Sequence, residues 1–191
     1  MSSSPLGLDP LLSLLDSERA RFLAEVARVP AARVDVRPVA DRWSVAEIVE
    51  HVARIDRGIE KLITMRNAEP RPATPGELAQ AELTPEKVAL VRDRTARIEA
   101  PERVRPSGSL TLGAALEQLT AARDALKAAY VAADDEVLDS NVHPHPILGF
   151  LTLRAWMQLV AHHDWRHGQQ VAEIADSDGK QNAGSPASIK A

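Results

Sequence analysis

Apolar positions along this chain gather into four long stretches with helical spacing, separated by segments rich in proline and polar residues. In the first, Leu11, Leu12, Leu15, Phe22, Leu23 and Val26 recur mostly three and four residues apart, which lays them along one face of a helix. Asp9 as N-cap and Pro10 at the first helical position suit the unsatisfied donors there, and Pro30 stops the helix near Val29. Residues 30–42 read as a connection. The second stretch has the sharpest start, because Ser44 and Glu47 spell the S-x-x-E capping box, with Trp43 and Ile48 placed as a hydrophobic staple. Val45, Ile48, Val49, Val52, Ile55, Ile59, Leu62 and Ile63 form its apolar face, and His51 lies at one edge of that face. Asp56 falls within the same face, where a carboxylate requires a partner such as an arginine from another helix.

Residues 66–83 hold three prolines and a glycine and read as a linker over the surface. Thr84-Pro85 starts one more short helix extending to about Glu99, followed by a loop through Ser109. The third long helix spans about Thr111 to Ala133, with Leu112, Leu116, Leu119 and Leu126 as its stripe. Asn141 to Gly149 is a turn region whose prolines keep the chain extended, and the last helix runs from about Thr152 to Ala175. With His163 set at zero on the helical wheel, Trp156, Leu159, Val160, His167, Gln170, Val171 and Ile174 all fall within about 80° of it. The expectation is therefore an all-α, up-down four-helix bundle over residues 9–175. Residues 1–8 and the Gly/Ser/Asn-rich tail 176–191 should be disordered. No internal repeat is visible.

Composition narrows the chemistry. The 191 residues are 45% apolar, enough for one sizeable core, with few aromatics and abundant alanine and leucine. No apolar run approaches the roughly 20 residues that span a bilayer, and the first residues lack a secretory pattern, so a cytoplasmic protein without a membrane partner is expected. A net charge of −4, with a pI near 5.9, offers no footprint for nucleic acid. With no cysteine, any metal must be held by imidazole, carboxylate or water.

Two imidazoles at i and i+4 on one face, His163 and His167, can chelate one ion, and His51 from another helix is the natural third ligand. Three neutral imidazoles would leave an open position, where water could have its pKa lowered toward roughly 7 or a thiol could bind as thiolate. Spacing alone also admits a different reading, in which these histidines are hydrogen-bonded core residues. Gln170 is placed to line the cavity or orient a bound group. Glu47 is a candidate general base one turn from His51, although its capping role explains it without catalysis. Asp56 is an alternative base, against which stands a buried ion pair. His162 should point away from the stripe, and His143 and His145, in a proline-bracketed loop, should be solvated, with a role at the mouth of the site only as a secondary reading.

The stretch D-R-W-S-V-A-E-I-V-E-H from Asp41 to His51 resembles the entry to the second helix of the DinB/YfiT-like superfamily. H-P-I-L-G-F-L-T-L-R-A-W from His145, then H-H-D-W-R-H-G-Q-Q through Gln170, is similar to that superfamily's closing motif, and E-A-P-E-R-V-R-P-S-G from Glu99 resembles one of its loops. The resemblance spans about residues 9–175. It implies a four-helix bundle with a long crossover, a divalent metal, zinc or nickel, on His51, His163 and His167, and frequent dimerisation. Relatives include metal-dependent hydrolases and S-transferases that use a low-molecular-weight thiol as co-substrate. Asp164 and Trp165 between the ligands, and the doubled histidine at His162, depart from the commonest closing pattern.

Two functional classes follow. One is a metal-dependent enzyme, hydrolase or thiol transferase, acting on a small molecule. The other is a non-catalytic metal-binding stress-response dimer in which the ion ties two helices together. Trp165 beside Ala161, Gly168 and Ala172 is the face expected to meet a second copy.

Overall fold

The computed structural model describes residues 8–95 and 99–182. Four long helices build the bundle: α1 (Leu8–Arg28), α2 (Val45–Ala68), α5 (Leu112–Ala132) and α7 (Leu153–Asn182), with α1 packed chiefly on α7 and α2 on α5. The start of α2 follows the capping box: Ser44 Oγ accepts from the Glu47 N–H at 3.2 Å, and Glu47 Oε2 accepts from the Ser44 N–H at 2.8 Å. Helix α1 begins at Leu8, so Asp9 sits inside its first turn, where Pro10 loses nothing by lacking an N–H.

Cross-helix contacts give the helix directions. Arg28 reaches Asp176 and Phe22 backs onto Gly168, so α1 and α7 run together. Asp134, just past α5, donates its N–H to Asn67 near the end of α2, while Asp56 meets Arg123, so α2 and α5 also run together. The sense of the four is up, down, down, up, and the crossover 69–111 carries the chain back between two like-directed helices.

Two apolar clusters make up the core. One contains Leu15, Ile63, Leu126, Tyr130 and Met157; the other contains Phe22, Ile48, Val52, Leu119 and Val171. Between them each helix contributes one charged residue: Arg19, Asp56, Arg123 and Asp164, all buried. Arg19 donates to Asp164 at 2.9 Å and Asp56 at 3.0 Å, and Arg123 donates to both at 3.0 Å. Two guanidinium groups facing two carboxylates leave no net charge in the interior, which is the condition under which such burial is tolerated. The arginine partner that Asp56 requires is thus supplied twice.

The connections are more structured than expected. The crossover holds α3 (Pro75–Leu78), a single turn with its own capping box from Thr74 and Glu77 that is too short to show periodicity. It also holds α4 (Pro85–Arg92), capped by Thr84. Helix α4 stops well short of Glu99, because the Asp93 carboxylate turns back to accept from the N–H of Thr95 at 2.8 Å. A 3-10 turn follows at Glu102–Val104. Between α5 and α7 lie α6 (Asp135–Ser140) and an antiparallel hairpin of β1 (Val142–His145) and β2 (Gly149–Thr152), so the architecture is a helical bundle with one small sheet. Proline is admissible in such a strand because a two-stranded ribbon has free edges. Helix α7 continues through residue 182 instead of ending at Ala175. Residues 1–7 and 183–191, expected to be disordered, lie outside the described residues.

The face of α7 assigned to a second copy is occupied within the chain. Gly168 backs onto α1, where a Cβ would make ordinary contact with Phe22 Cα at 3.5 Å, and Trp165 lies under the Arg92 guanidinium, 4.7 Å from the ring centre. No helix among the described residues is long and apolar enough to cross a membrane.

Candidate metal centre

The fold brings His51 of α2 to His163 and His167 of α7. Nε2 of His163 lies 3.2 Å from Nε2 of His51 and 3.1 Å from Nε2 of His167, and one ligating nitrogen from each ring falls within 4.8 Å of the others. Their other nitrogens decide what these contacts are. His51 Nδ1 lies 2.7 Å from the Val104 carbonyl, which can only accept, so the ring hydrogen is on Nδ1 and Nε2 presents a lone pair. His167 Nδ1 donates to Gln170 Oε1 at 2.9 Å, leaving its Nε2 in the same state. His163 has at most one hydrogen to offer toward two lone pairs, and its buried Nδ1 has no partner among the described residues. Neutral rings alone therefore leave at least one pair of nitrogens lone pair against lone pair. A cation at the common point would satisfy all three, and zinc–nitrogen bonds of about 2.0–2.1 Å place tetrahedral ligands about 3.3 Å apart, close to the two separations that involve His163.

Protonation agrees with this donor set. Burial lowers the His51 pKa to about 4 against the pull of the Val104 carbonyl, and burial followed by neighbouring imidazoles holds His163 and His167 well below the usual value. The rings are neutral near pH 7, as ligands must be.

The loop that supplies Val104 is anchored to α2. Buried Glu50 accepts the Ser107 N–H with both carboxylate oxygens at 3.0 Å, takes the Ser107 hydroxyl at 3.1 Å, and is held by Arg54 at 3.0 Å. One turn earlier, Glu47 is gripped by Arg37 as well as by Ser44; these contacts outweigh burial and hold its carboxyl below the usual range. Gly108 completes the loop with φ +72°, and a Cβ there would come to 3.1 Å from Glu47 Oε1.

The three rings form the floor of a cavity of about 230 Å³, walled by Ile55, Ile59, Leu148, Trp156 and Leu159 and roofed by residues 99–104. Trp43 packs against His51 with ring centres 4.8 Å apart and planes tilted by 45°.

The remaining candidates divide clearly. Gln170 orients His167. Glu47 is engaged in the cap and with Arg37, and Asp56 is fully buried in the charge layer away from the cavity, so neither is placed as a base. His162 turns from the stripe toward Arg92 at 3.0 Å. His143 flanks Trp156, whose indole N–H donates to the His143 carbonyl at 3.2 Å. His145 is held against the cavity instead of being loosely solvated: its Nδ1 accepts the N–H groups of Ile147 and Leu148 at 3.2 Å, and Trp156 lies 5.2 Å from its ring. The carbonyl of Val104, the clamp of Glu50 on Ser107 and the place of exposed Arg103 at the cavity edge carry no periodic signal, because all three depend on how a loop folds over a distant helix.

Known proteins are similar to this chain in sequence or in fold. YuaE of Bacillus subtilis (strain 168), an uncharacterized protein, is 26% identical over 166 residues, covering 86% of this chain and 97% of its own. YfiT from Bacillus subtilis, described as a probable metal-dependent hydrolase with an unusual four-helix bundle topology, superposes with a TM-score of 0.62 at 18% identity, over 94% of this chain and 91% of that one. TT2238, a four-helix bundle protein, gives a TM-score of 0.56 at 18% identity, over 87% and 98%. At that identity the two structures speak for the fold alone. Residues 14–171 match the DinB superfamily, and with the bundle and its converging histidines in place, the chain belongs to that superfamily.

Proposed function

We propose that this protein is a divalent-metal-dependent enzyme, a hydrolase of a compact small molecule, with His51, His163 and His167 as the metal ligands. One observation carries the reading: three imidazole nitrogens, all within 4.8 Å of one another and at least two with lone pairs directed at a common point, lie at the floor of an apolar cavity. A structural ion needs no cavity over it, whereas an ion that acts on substrate does.

The ion, when bound, supplies Lewis acidity that lowers the pKa of water toward roughly 7 and polarises a substrate carbonyl. The protein supplies the rest. Val104 and Gln170 hold two of the rings in one tautomer, Glu50 keeps the Val104 loop in place, and the apolar walls exclude bulk water. Among the described residues Glu99 is the one acid lining the cavity, and it pairs with Arg105 at the surface. Proton transfer near the ligands thus has imidazole and solvent available.

Elemental analysis of tag-free protein should find about one zinc or nickel per chain, and the loaded protein should hydrolyse members of a small ester and amide panel. Stoichiometric metal with turnover only in the presence of a low-molecular-weight thiol would replace hydrolysis by thiol transfer. Metal whose removal lowers Tm while every assay stays blank would leave the non-catalytic metal-binding reading. Absence of stoichiometric metal would remove the proposal.

A further inference from the structure

Two hydrogen-bond donors at the cavity mouth meet no acceptor among the described residues. The 3-10 turn Glu102–Val104 that gives its last carbonyl to His51 also places Arg103 on the cavity, where its guanidinium makes no hydrogen bond or ion pair with any described residue. The other cations nearby are engaged: Arg166 donates to the carbonyls of Val91 and Asp93, and Arg105 pairs with Glu99. Across the mouth, His145 accepts two backbone N–H groups on Nδ1. A neutral ring so held carries its hydrogen on Nε2, which meets no acceptor among the described residues. Trp156 fixes this arrangement by binding the hairpin backbone at His143 and packing at a tilt against the His145 ring. Below these donors the walls are apolar: Ile55, Ile59, Leu148, Trp156 and Leu159.

We infer that Arg103 and the Nε2–H of His145 form an anion subsite at the cavity mouth, which selects substrates with one carboxylate-like group attached to a compact apolar body. Scaling from a benzene-sized cavity of about 150 Å³, the space holds roughly ten non-hydrogen atoms, about a phenyl ring and a short chain. Calling the bound molecule a substrate rests on the metal-enzyme reading above. The subsite does not, because neither donor is a ligand of the ion. Guanidinium matches a carboxylate in planar, charge-assisted geometry, and an apolar wall behind it strengthens the contact by excluding water.

The test uses the full chain, first stripped of metal and then loaded with zinc. Binding of 3-phenylpropanoate and of its neutral amide is followed by calorimetry and by tryptophan fluorescence, since Trp43 and Trp156 both line the cavity. In metal-free protein the acid should bind about tenfold or more tightly than the amide, as expected for a charge-assisted pair. Arg103→Gln should abolish that preference, weakening the acid far more than the amide. His145→Phe should reduce the preference severalfold. Equal affinity for acid and amide in metal-free wild type, or a preference that survives Arg103→Gln, overturns the subsite. A preference seen only with zinc present also overturns it, because the ion itself then holds the anion. Zinc binding measured separately by equilibrium dialysis keeps the two readings apart: loss of zinc affinity with the acid preference intact removes the metal enzyme and leaves the subsite standing.

Discussion

His51 Nδ1 donates to the backbone carbonyl of Val104 across a distance of 2.7 Å, joining the second long helix to a loop 53 residues later in the chain. That single bond fixes which nitrogen of His51 is free for a metal. It also ties the roof of the cavity to its floor.

Metal affinity should therefore depend on residues that never touch the ion. Gln170→Ala removes the partner of His167 Nδ1, and Glu50→Ala frees the loop that carries Val104; each should weaken zinc affinity by roughly 10- to 100-fold. His51→Ala and His167→Ala should lower it by well over about 100-fold while helical circular dichroism is retained. Competition with a chromophoric chelator measures all four. Unchanged zinc affinity in Gln170→Ala would show that the glutamine contact orients nothing.

The buried charge layer gives a stability prediction. Asp56→Ala leaves Arg19 and Arg123 sharing only Asp164, so one buried positive charge is uncompensated, and the cost should be about 3–5 kcal/mol. Urea unfolding of metal-free protein reads this directly. A loss below about 1 kcal/mol would mean that solvent reaches the layer.

Acid should destabilise the metal-free protein. The folded pKa of His51 is depressed to about 4 from 6.5, so between these values the unfolded chain takes up a proton that the folded chain refuses. Stability contributed by the neutral ring is thus present above about pH 6.5 and falls as pH drops to about 4, by on the order of 3 kcal/mol for this group. His163 and His167 shift in the same direction and add to the slope. Urea midpoints across that range should decline with acid; the slope should shrink in His51→Gln.

The N-cap of α2 stands close to the site and can be tested alone. Ser44→Ala removes the acceptor for the Glu47 N–H and should cost about 0.5–2 kcal/mol. Because Arg37 still holds Glu47, zinc affinity should change less than about threefold, which separates capping from ligand placement.

The sequence by itself determined what local rules govern. The capping box of Ser44 and Glu47 fixed the start of α2 within about a residue, because both partners lie within one turn. The i, i+4 spacing put His163 and His167 on one face, since that follows from helix pitch. The apolar stripes and the demand of Asp56 for an arginine followed in the same way, although which arginines answer it did not. Tertiary structure decided everything that joins distant segments. It alone set the convergence of His51 on the pair from α7, the Val104 carbonyl that fixes its tautomer, and the pairing of Asp56 with Arg19 and Arg123. It also folded Val142–His145 into a hairpin that carries His145 to the cavity, where a proline-rich segment showed only an extended chain. The division is physical: a helix is specified by neighbours along the chain, whereas a site depends on which helices pack together and on what the loops between them cover.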